Sequence, residues 1–419
     1  MPAFTHSPSS THRSGNSEEL MIGDARDTPS WKRSGLVLAI CLSWLSLSIH
    51  PFWRYFDHAK ALGAMFLGVV AIALGLNFLS RLIVRNQQIG LVWFALLAVL
   101  LTTSFAILYP ISLKHALNSG SDREDALRVA LTAISHHQYP YQFRTYLNMT
   151  ITPLPGALLL AAPFFALGHI AWQNFLWVGL FFVFVLSYFK TRSTTLFFLA
   201  LLLLLTPANL SDITSGGDYI ANFCYVAIAV FLVVLSSDRS TWFAVAAAAF
   251  LGVALSSRIM YALVLIPLTA LLVQRGTPKR RLGLVSGVMA LAALAVNLPV
   301  FAPHPVAHLM QQLSQQSTKM RYLPPSIHAP ATLPILGALI CCSAFFVRMD
   351  TPRLFLIFGL ANLSMLGPSV LSIAIHNHKP MYDLSYLAAC MLPLSLWTFA
   401  RYEEFARRSL ALPESALAV

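Results

Sequence analysis

Long apolar stretches recur along the whole chain, and they constrain the fold more than any other feature. There are about a dozen of them, and the mean hydropathy over 419 residues is +0.68. Only 11% of the residues are charged, compared with about a quarter in soluble domains, which excludes a soluble globular protein. Because lipid offers no water to backbone N–H and C=O groups, such stretches cross a membrane as helices. The sequence therefore predicts an all-α, polytopic transmembrane helical bundle.

The apolar stretches predict twelve spans and one further membrane segment. The segment at 153–171 would break the inside–outside alternation if it crossed, so we interpret it as re-entrant or lying on the surface. Most Lys and Arg side chains then fall on one face, which the positive-inside rule makes cytoplasmic. The net charge of +12 therefore reflects topology, and we expect no nucleic-acid partner. The predicted spans are residues 35–53, 62–80, 89–111, 173–189, 194–211, 219–236, 241–257, 259–274, 282–303, 332–348, 354–375 and 383–400.

The spans divide the chain into four regions. Residues 1–34 are polar and predict a disordered cytoplasmic tail, and residues 401–419 form a second cytoplasmic tail. Residues 35–88 contain two extra N-terminal spans, and residues 89–400 form the main module, with long outer loops at 112–152 and 304–331. All five cysteines lie in apolar stretches, so we expect small core residues and no outer disulfide.

An acidic motif lies in the first long outer loop. Ser121 and Glu124 have the spacing of a helix capping box. Apolar residues then recur at helical spacing, at Leu127, Ala130, Leu131 and Ile134. We therefore predict an amphipathic helix along the outer membrane surface, with its N-terminus at Asp122. Asp122 and Asp125 would share one face of this helix.

The carboxylates of this motif suit acid–base chemistry. A helix dipole keeps a carboxylate at the N-terminus ionised near neutral pH, as a general base requires when it deprotonates an acceptor hydroxyl. Asp122, Glu124 and Asp125 are therefore the candidate catalytic residues. Acidic residues in a first turn are also ordinary capping chemistry, so both interpretations stand.

Two further charges lie at the outer ends of spans. Asp218 is either an N-cap or a partner of Asp122 in holding an acceptor or a divalent cation, Mg²⁺ or Mn²⁺; one or two carboxylates are a weak metal signature. Arg258 separates two short apolar runs, where a charge is costly and usually functional. It could bind a lipid phosphate bidentately or snorkel to the interface.

Polar and aromatic residues in two outer turns complete the candidate set. The turn 376–383 supplies His376, Lys379 and Tyr382. No third ligand for a metal is evident beside His376 and His378, so we interpret Lys379 as a phosphate contact. Tyr141 is either a substrate contact or an interfacial tyrosine of a re-entry turn.

In their order along one topology, these features resemble the GT-C superfamily of polytopic glycosyltransferases, mannosyltransferase-like enzymes that use polyprenyl-phosphate sugars. The resemblance covers about residues 90–400. Two departures are that Arg123 splits the adjacent acidic pair common in the superfamily, and that two spans precede the usual first one. The matching phrases are Ser121-Asp122-Arg123-Glu124-Asp125, Thr152-Pro153-Leu154-Pro155-Gly156 leading into Phe164-Phe165-Ala166-Leu167-Gly168, Gly252-Val253-Ala254-Leu255-Ser256-Ser257-Arg258, and Lys379-Pro380-Met381-Tyr382.

The resemblance implies inverting transfer of a sugar from a polyprenyl-phosphate donor to a glycan, lipid or protein acceptor of the cell envelope. Asp122 would be the base, assisted by Glu124 or Asp125, while Arg258 and Lys379 would stabilise the leaving lipid phosphate. Asp218, Tyr382, His376 and Tyr141 complete the implied substrate site. We place the protein in a bacterial inner (plasma) membrane, with its site facing the periplasm or exterior, because outer disulfide candidates and a retention signal are lacking.

Two other classes of function compete with this hypothesis. A lipid or polysaccharide transporter or flippase should carry polar or broken-helix residues near the bilayer midplane. The interior amides Asn77, Asn297 and Asn362 are instead scattered singly. A non-catalytic assembly subunit of an envelope-polysaccharide system would need none of the candidate catalytic carboxylates.

Overall fold

The described part of the chain is helical. The computed structural model describes residues 30–85, 89–113, 121–306, 322–378 and 384–408, together with residues 308, 310, 312, 314 and 320. Within them the β-structure is one isolated bridge between Arg144 and Thr150. The bounded α-helices of these residues, numbered α1 to α15, are Ser30–Tyr55, His58–Val84, Val92–Ser112, Arg123–Ser135, Pro155–Ala166, Gln173–Tyr188, Arg192–Leu199, Pro207–Thr214, Tyr219–Leu235, Thr241–Leu255, Leu265–Gln274, Lys279–Phe301, Ala329–Cys342, Thr351–His376 and Ala388–Arg408.

Seven helices of the described residues are long and apolar enough to cross a membrane, or eight if α7 and α8 form one bent span. The protein is therefore an integral membrane protein with a polytopic helical fold, as predicted, but the structure supports fewer than the twelve predicted spans. Length explains the difference. At 1.5 Å per residue, the 15 residues of α10 rise about 22 Å, short of the roughly 30 Å hydrocarbon core. The other short apolar helices are Pro155–Ala166, Ile259–Gln274 and Ala329–Phe345.

The predicted span 194–211 is bent rather than straight. Helix α7 runs into a π-helical turn at Ala200–Leu204, and the axis then turns by 68° before α8. Pro207 opens α8 and has no N–H to continue the helix. The buried Thr206 hydroxyl donates to the carbonyl oxygen of Leu201 at 2.7 Å, which satisfies a group near the break. The bend brings Asp212 of α8 against α4, where it pairs with Arg123.

Basic side chains at one end of the bundle form ion pairs. Helix α1 begins at Ser30, within the region predicted as a tail, and α15 extends to Arg408. Arg401 of α15 pairs with Asp350 at 2.5 Å and with Glu404 at 2.7 Å. These residues belong to the face that the positive-inside rule predicts to be cytoplasmic.

Helix α9 lies in the centre of the main core. Most of its side chains are buried, and it packs against α6 and α10. Helix α4 belongs to a smaller core with α5, in which Leu127, Ala130 and Leu131 are buried. The predicted amphipathic helix is therefore present, but its apolar face packs on the protein rather than on lipid.

The cysteines are free thiols throughout. Four of them, Cys41, Cys224, Cys341 and Cys390, are buried in the core as expected, whereas Cys342 is exposed. The exposure of Cys342, at the end of α13, is therefore contrary to the prediction that all five cysteines fill the core.

Close packing of α10 on α12 depends on Gly252. A Cβ added there would lie 2.9 Å from the Cβ of Ala292 and closer still to the carbonyl oxygen of Met289. We expect Gly252→Ala to lower the free energy of unfolding by about 1–3 kcal/mol, because the helices must separate. Gly287→Ala on α12, whose added Cβ meets nothing within 4 Å, is the matched control. Unfolding in mixed micelles checks this, and equal stability of the two variants would contradict the role of Gly252.

Candidate functional site

Asp122 occupies the N-cap of α4 and is partly exposed. The helix therefore starts where the sequence predicts, although Asp122 rather than Ser121 is the cap residue. The Asp122 side chain makes no capping hydrogen bond. Instead, its Oδ2 accepts a 2.6 Å hydrogen bond from the hydroxyl of the buried Thr145. Asp122 is thus held in place by a neutral donor on a neighbouring segment.

The other two carboxylates of the motif are buried and bonded to the protein. Glu124 accepts a 2.9 Å hydrogen bond from the Tyr109 hydroxyl of α3. Asp125 accepts the backbone N–H of Tyr146 at 2.8 Å and pairs with Arg128 at 3.1 Å. Asp122 is therefore the most accessible of the three candidate bases.

A phenol lies close to these carboxylates. Partial burial raises the pKa of Tyr146, and the negative charges of Asp122 and Asp125 raise it further. The phenol therefore stays protonated at neutral pH and can donate a hydrogen bond beside the site. The sequence does not predict Tyr146 and Thr145 as site residues, because nothing local to residues 145–146 indicates contact with α4.

Arg123 connects the acidic motif to α8. Its guanidinium forms an ion pair with Asp212 and lies 3.6 Å from the ring centre of Tyr219. Asp212 is buried and also accepts the N–H of Ile220 at 3.0 Å. Asp212 is not among the residues predicted from the sequence, although it is the first carboxylate in the chain after Asp125.

Asp218 and Arg258, which the sequence presents as separate candidates, form one buried ion pair. Nη2 of Arg258 donates to both oxygens of Asp218, at 2.9 and 2.7 Å. Nη1 donates to the Thr152 hydroxyl at 3.0 Å, and the Asn222 amide donates to Asp218 at 3.0 Å. Asp218 is therefore bound to Arg258 and is not a free partner for Asp122. The buried Nε of Arg258 has no hydrogen-bond partner among the described residues.

Tyr219 joins the two ion pairs. Its ring centre is 3.6 Å from the Cζ atom of Arg123 and 4.7 Å from that of Arg258. The two guanidinium carbons therefore lie within about 8 Å of each other. Cations near an aromatic ring are attracted by its quadrupole. We call the resulting set of contacts the buried charge network; its members are Asp212, Arg123, Tyr219, Arg258 and Asp218. Its two arginines and two aspartates balance in formal charge.

An apolar cavity of about 430 Å³ begins at Arg258. Thr152 lies beside the arginine, and most of the remaining lining is apolar, including Met260, Pro334 and Leu366. A cavity with a cation at one point and apolar walls elsewhere suits a hydrocarbon ligand with an anionic group.

The remaining predicted residues lie in several places. Tyr141 is buried, and its hydroxyl donates to the carbonyl oxygen of Pro153 at 3.1 Å. His376 is exposed at the end of α14 and stacks on Tyr322 with 3.9 Å between ring centres. Lys379 and Tyr382 lie outside the described residues. Within the described ranges no group of three or more His, Cys, Asp or Glu side chains could hold a metal ion.

Comparison with protein-family models, with curated proteins and with solved structures finds no match to this chain.

Proposed function

We propose that the protein is a membrane glycosyltransferase that transfers a sugar, with inversion, from a polyprenyl-phosphate donor to an acceptor on the extracytoplasmic face. One observation carries the proposal. The partly exposed carboxylate of Asp122 is adjacent in sequence to a buried charge network whose far arginine, Arg258, lines an apolar cavity. The candidate base is thus the sequence neighbour of Arg123, and the anion-binding candidate Arg258 belongs to the same network as Arg123.

The apolar cavity suits the donor lipid. Its walls would cover part of the isoprenoid chain, with the phosphate close to Arg258 and Thr152. Transfer leaves the lipid phosphate with one more negative charge than the donor phosphodiester. Arg258 is already oriented by Asp218 and lines the cavity, so its guanidinium can meet this charge. Preoriented donors of this kind often contribute more to catalysis than any other single effect.

Asp122 suits the acceptor side of the reaction. In the proposed step its carboxylate takes the proton of the acceptor hydroxyl. The acceptor oxygen bonds to the anomeric carbon while the bond from that carbon to the phosphate oxygen breaks. The Thr145 hydroxyl holds Asp122 in position at 2.6 Å. Glu124 and Asp125, which are bonded to Tyr109 and Tyr146, would maintain the shape of the site.

The charge distribution supports the proposed orientation of the protein in its membrane, which we propose is a bacterial inner membrane. Arg401 pairs with Asp350, and the backbone N–H of Lys190 donates to Glu403. Arg401 and Lys190 fall on the face predicted to be cytoplasmic. Asp122 and Arg258 belong to the opposite set of loops, so the proposed site faces the periplasm or exterior.

The proposal is tested with the purified protein in nanodiscs, incubated with a panel of polyprenyl-phosphate sugars and simple glycosides. We expect mass spectrometry to detect free polyprenyl phosphate and a glycosylated acceptor with the wild-type protein. Asp238→Asn, at an exposed carboxylate between α9 and α10, should behave like the wild type. If every donor stayed intact while the folded protein bound lipid, transport or an assembly role would replace catalysis.

A further inference from the structure

A second, smaller cavity lies on the side predicted to be extracytoplasmic, between the loop that follows α4 and His308. Its volume is about 150 Å³. Pockets for drug-sized ligands have volumes of roughly 300 Å³ or more, so this cavity is about half as large as the smallest of them. It corresponds to a ligand about as large as one sugar ring. Its lining includes Tyr139, Gln142, Phe143, Arg144, Thr150 and His308. Aromatic faces and polar groups therefore line the same small space.

The cavity is fixed to the end of α4 that carries the proposed base. The Thr145 hydroxyl donates to Asp122 at 2.6 Å, and the N–H of Tyr146 donates to Asp125 at 2.8 Å. Residues Arg144 and Thr150, which flank this contact, form the isolated β-bridge and both line the cavity. A ligand in the cavity would therefore be positioned by the same short segment that holds Asp122.

The aromatic part of the cavity is held by ring stacking and a hydrogen bond. Tyr139 is buried, stacks on His308 with 4.9 Å between ring centres, and donates its hydroxyl to the His308 carbonyl oxygen at 3.2 Å. Phe143 adds a partly exposed ring. The partly exposed ring of Phe143 offers an apolar face for the C–H groups of a sugar, and the buried Tyr139 supports the position of His308.

Polar groups around the cavity could bind hydroxyl groups. Nδ1 of His308 is buried and has no hydrogen-bond partner in the described part of the chain. The side chains of Gln142 and Arg144 are exposed, and Thr150 is partly exposed. Together these side chains offer donors and acceptors in several directions, as the hydroxyl groups of a sugar require. An acyl chain would leave these groups unpaired at a cost.

We infer that this cavity binds a sugar residue of the acceptor, so that the acceptor is a glycan rather than a lipid or protein hydroxyl. The inference rests on the proposed function and names its acceptor class. A glycan bound in the cavity would contact Arg144 and Thr150, and Thr145 of the same segment contacts Asp122. A hydroxyl of the glycan would thereby be presented to Asp122.

Two variants test this sugar site. Gln142→Ala removes an exposed amide, and His308→Phe keeps an aromatic ring for the stack on Tyr139 while removing Nδ1. We expect each to raise the KM for a glycan acceptor about tenfold, the loss expected for one hydrogen bond, while the donor KM stays unchanged. Gln138→Ala is the matched control, because Gln138 is exposed and does not line the cavity.

A binding measurement separates this inference from the proposed function. Saturation-transfer NMR with methyl glycosides of mannose, galactose, glucose and arabinose reports sugar binding to the nanodisc protein without requiring turnover. Sugar binding that both variants weaken supports the cavity even if no donor is cleaved, in which case only the transferase proposal fails. Transfer with unchanged acceptor KM in both variants, or transfer to a lipid or peptide acceptor without sugar binding, would overturn the inference.

Discussion

Asp122→Asn should abolish sugar transfer and leave the protein folded. The amide cannot take a proton, so the reaction should lose the 10²–10⁴-fold contribution typical of a general base. Asparagine is also a favourable N-cap residue, and its amide oxygen can still accept the hydrogen bond from Thr145. Release of free polyprenyl phosphate measures the activity, and the unfolding midpoint in detergent measures the fold.

Substitutions at the neighbouring carboxylates serve as controls for this result. Asp125→Asn keeps an oxygen for the N–H of Tyr146 but loses the ion pair with Arg128. Glu124→Gln keeps an acceptor for Tyr109. Because neither group is the proposed base, we expect activity losses of about tenfold or less, as for one weakened hydrogen bond. Full activity in Asp122→Asn would remove Asp122 from the role, and loss in Asp125→Asn alone would transfer it to Asp125.

Helix α4 shows which parts of the site the sequence could predict. The apolar spacing of Leu127, Ala130 and Leu131 and the polar start at Asp122 are encoded within about ten residues. Local periodicity and cap chemistry act over this range, so the helix and its N-terminus were predictable. Its position was not, because an apolar helix face can pack on lipid or on protein. The contact between α4 and α5 shows that the apolar face of α4 packs on protein.

The pairing of charges could not be predicted from local signals. Arg123 and Asp212 are 89 positions apart, and Arg258 and Asp218 are 40 apart. Their contacts depend on the bend before α8 and on the packing of α9. No sequence motif indicates either of these features. Taken alone, Asp218 therefore looked like a cap and Arg258 like a phosphate ligand, and nothing singled out Asp212. The count of twelve spans is not confirmed for a related reason, since turns inside apolar sequence shorten helices such as α10 without changing the hydropathy.

Separating Arg258 from Asp218 should strongly destabilise the protein. The pair is almost completely buried, with the Asp218 residue 0% and the Arg258 residue 6% exposed. Removing one partner leaves the other charge buried without compensation, which typically costs 3–5 kcal/mol. We expect a loss of about this size in Arg258→Met and in Asp218→Ala, measured by unfolding in mixed micelles. Asp57→Asn, in the exposed pair of Asp57 with Lys60, should change stability little.

Replacing both partners distinguishes a structural role of this pair from a role in donor binding. In Arg258→Met/Asp218→Asn no charge is left unpaired, and the introduced amide keeps an oxygen that can accept from the Asn222 side chain, so most of the lost stability should return. The donor should still bind poorly, because the cation beside the apolar cavity is gone. A donor KM that recovered together with stability would show that Arg258 only supports the fold. A donor KM that stayed at least tenfold above the wild-type value in a stable double variant would place the lipid phosphate at Arg258, since one charge-assisted hydrogen bond accounts for a loss of about that size.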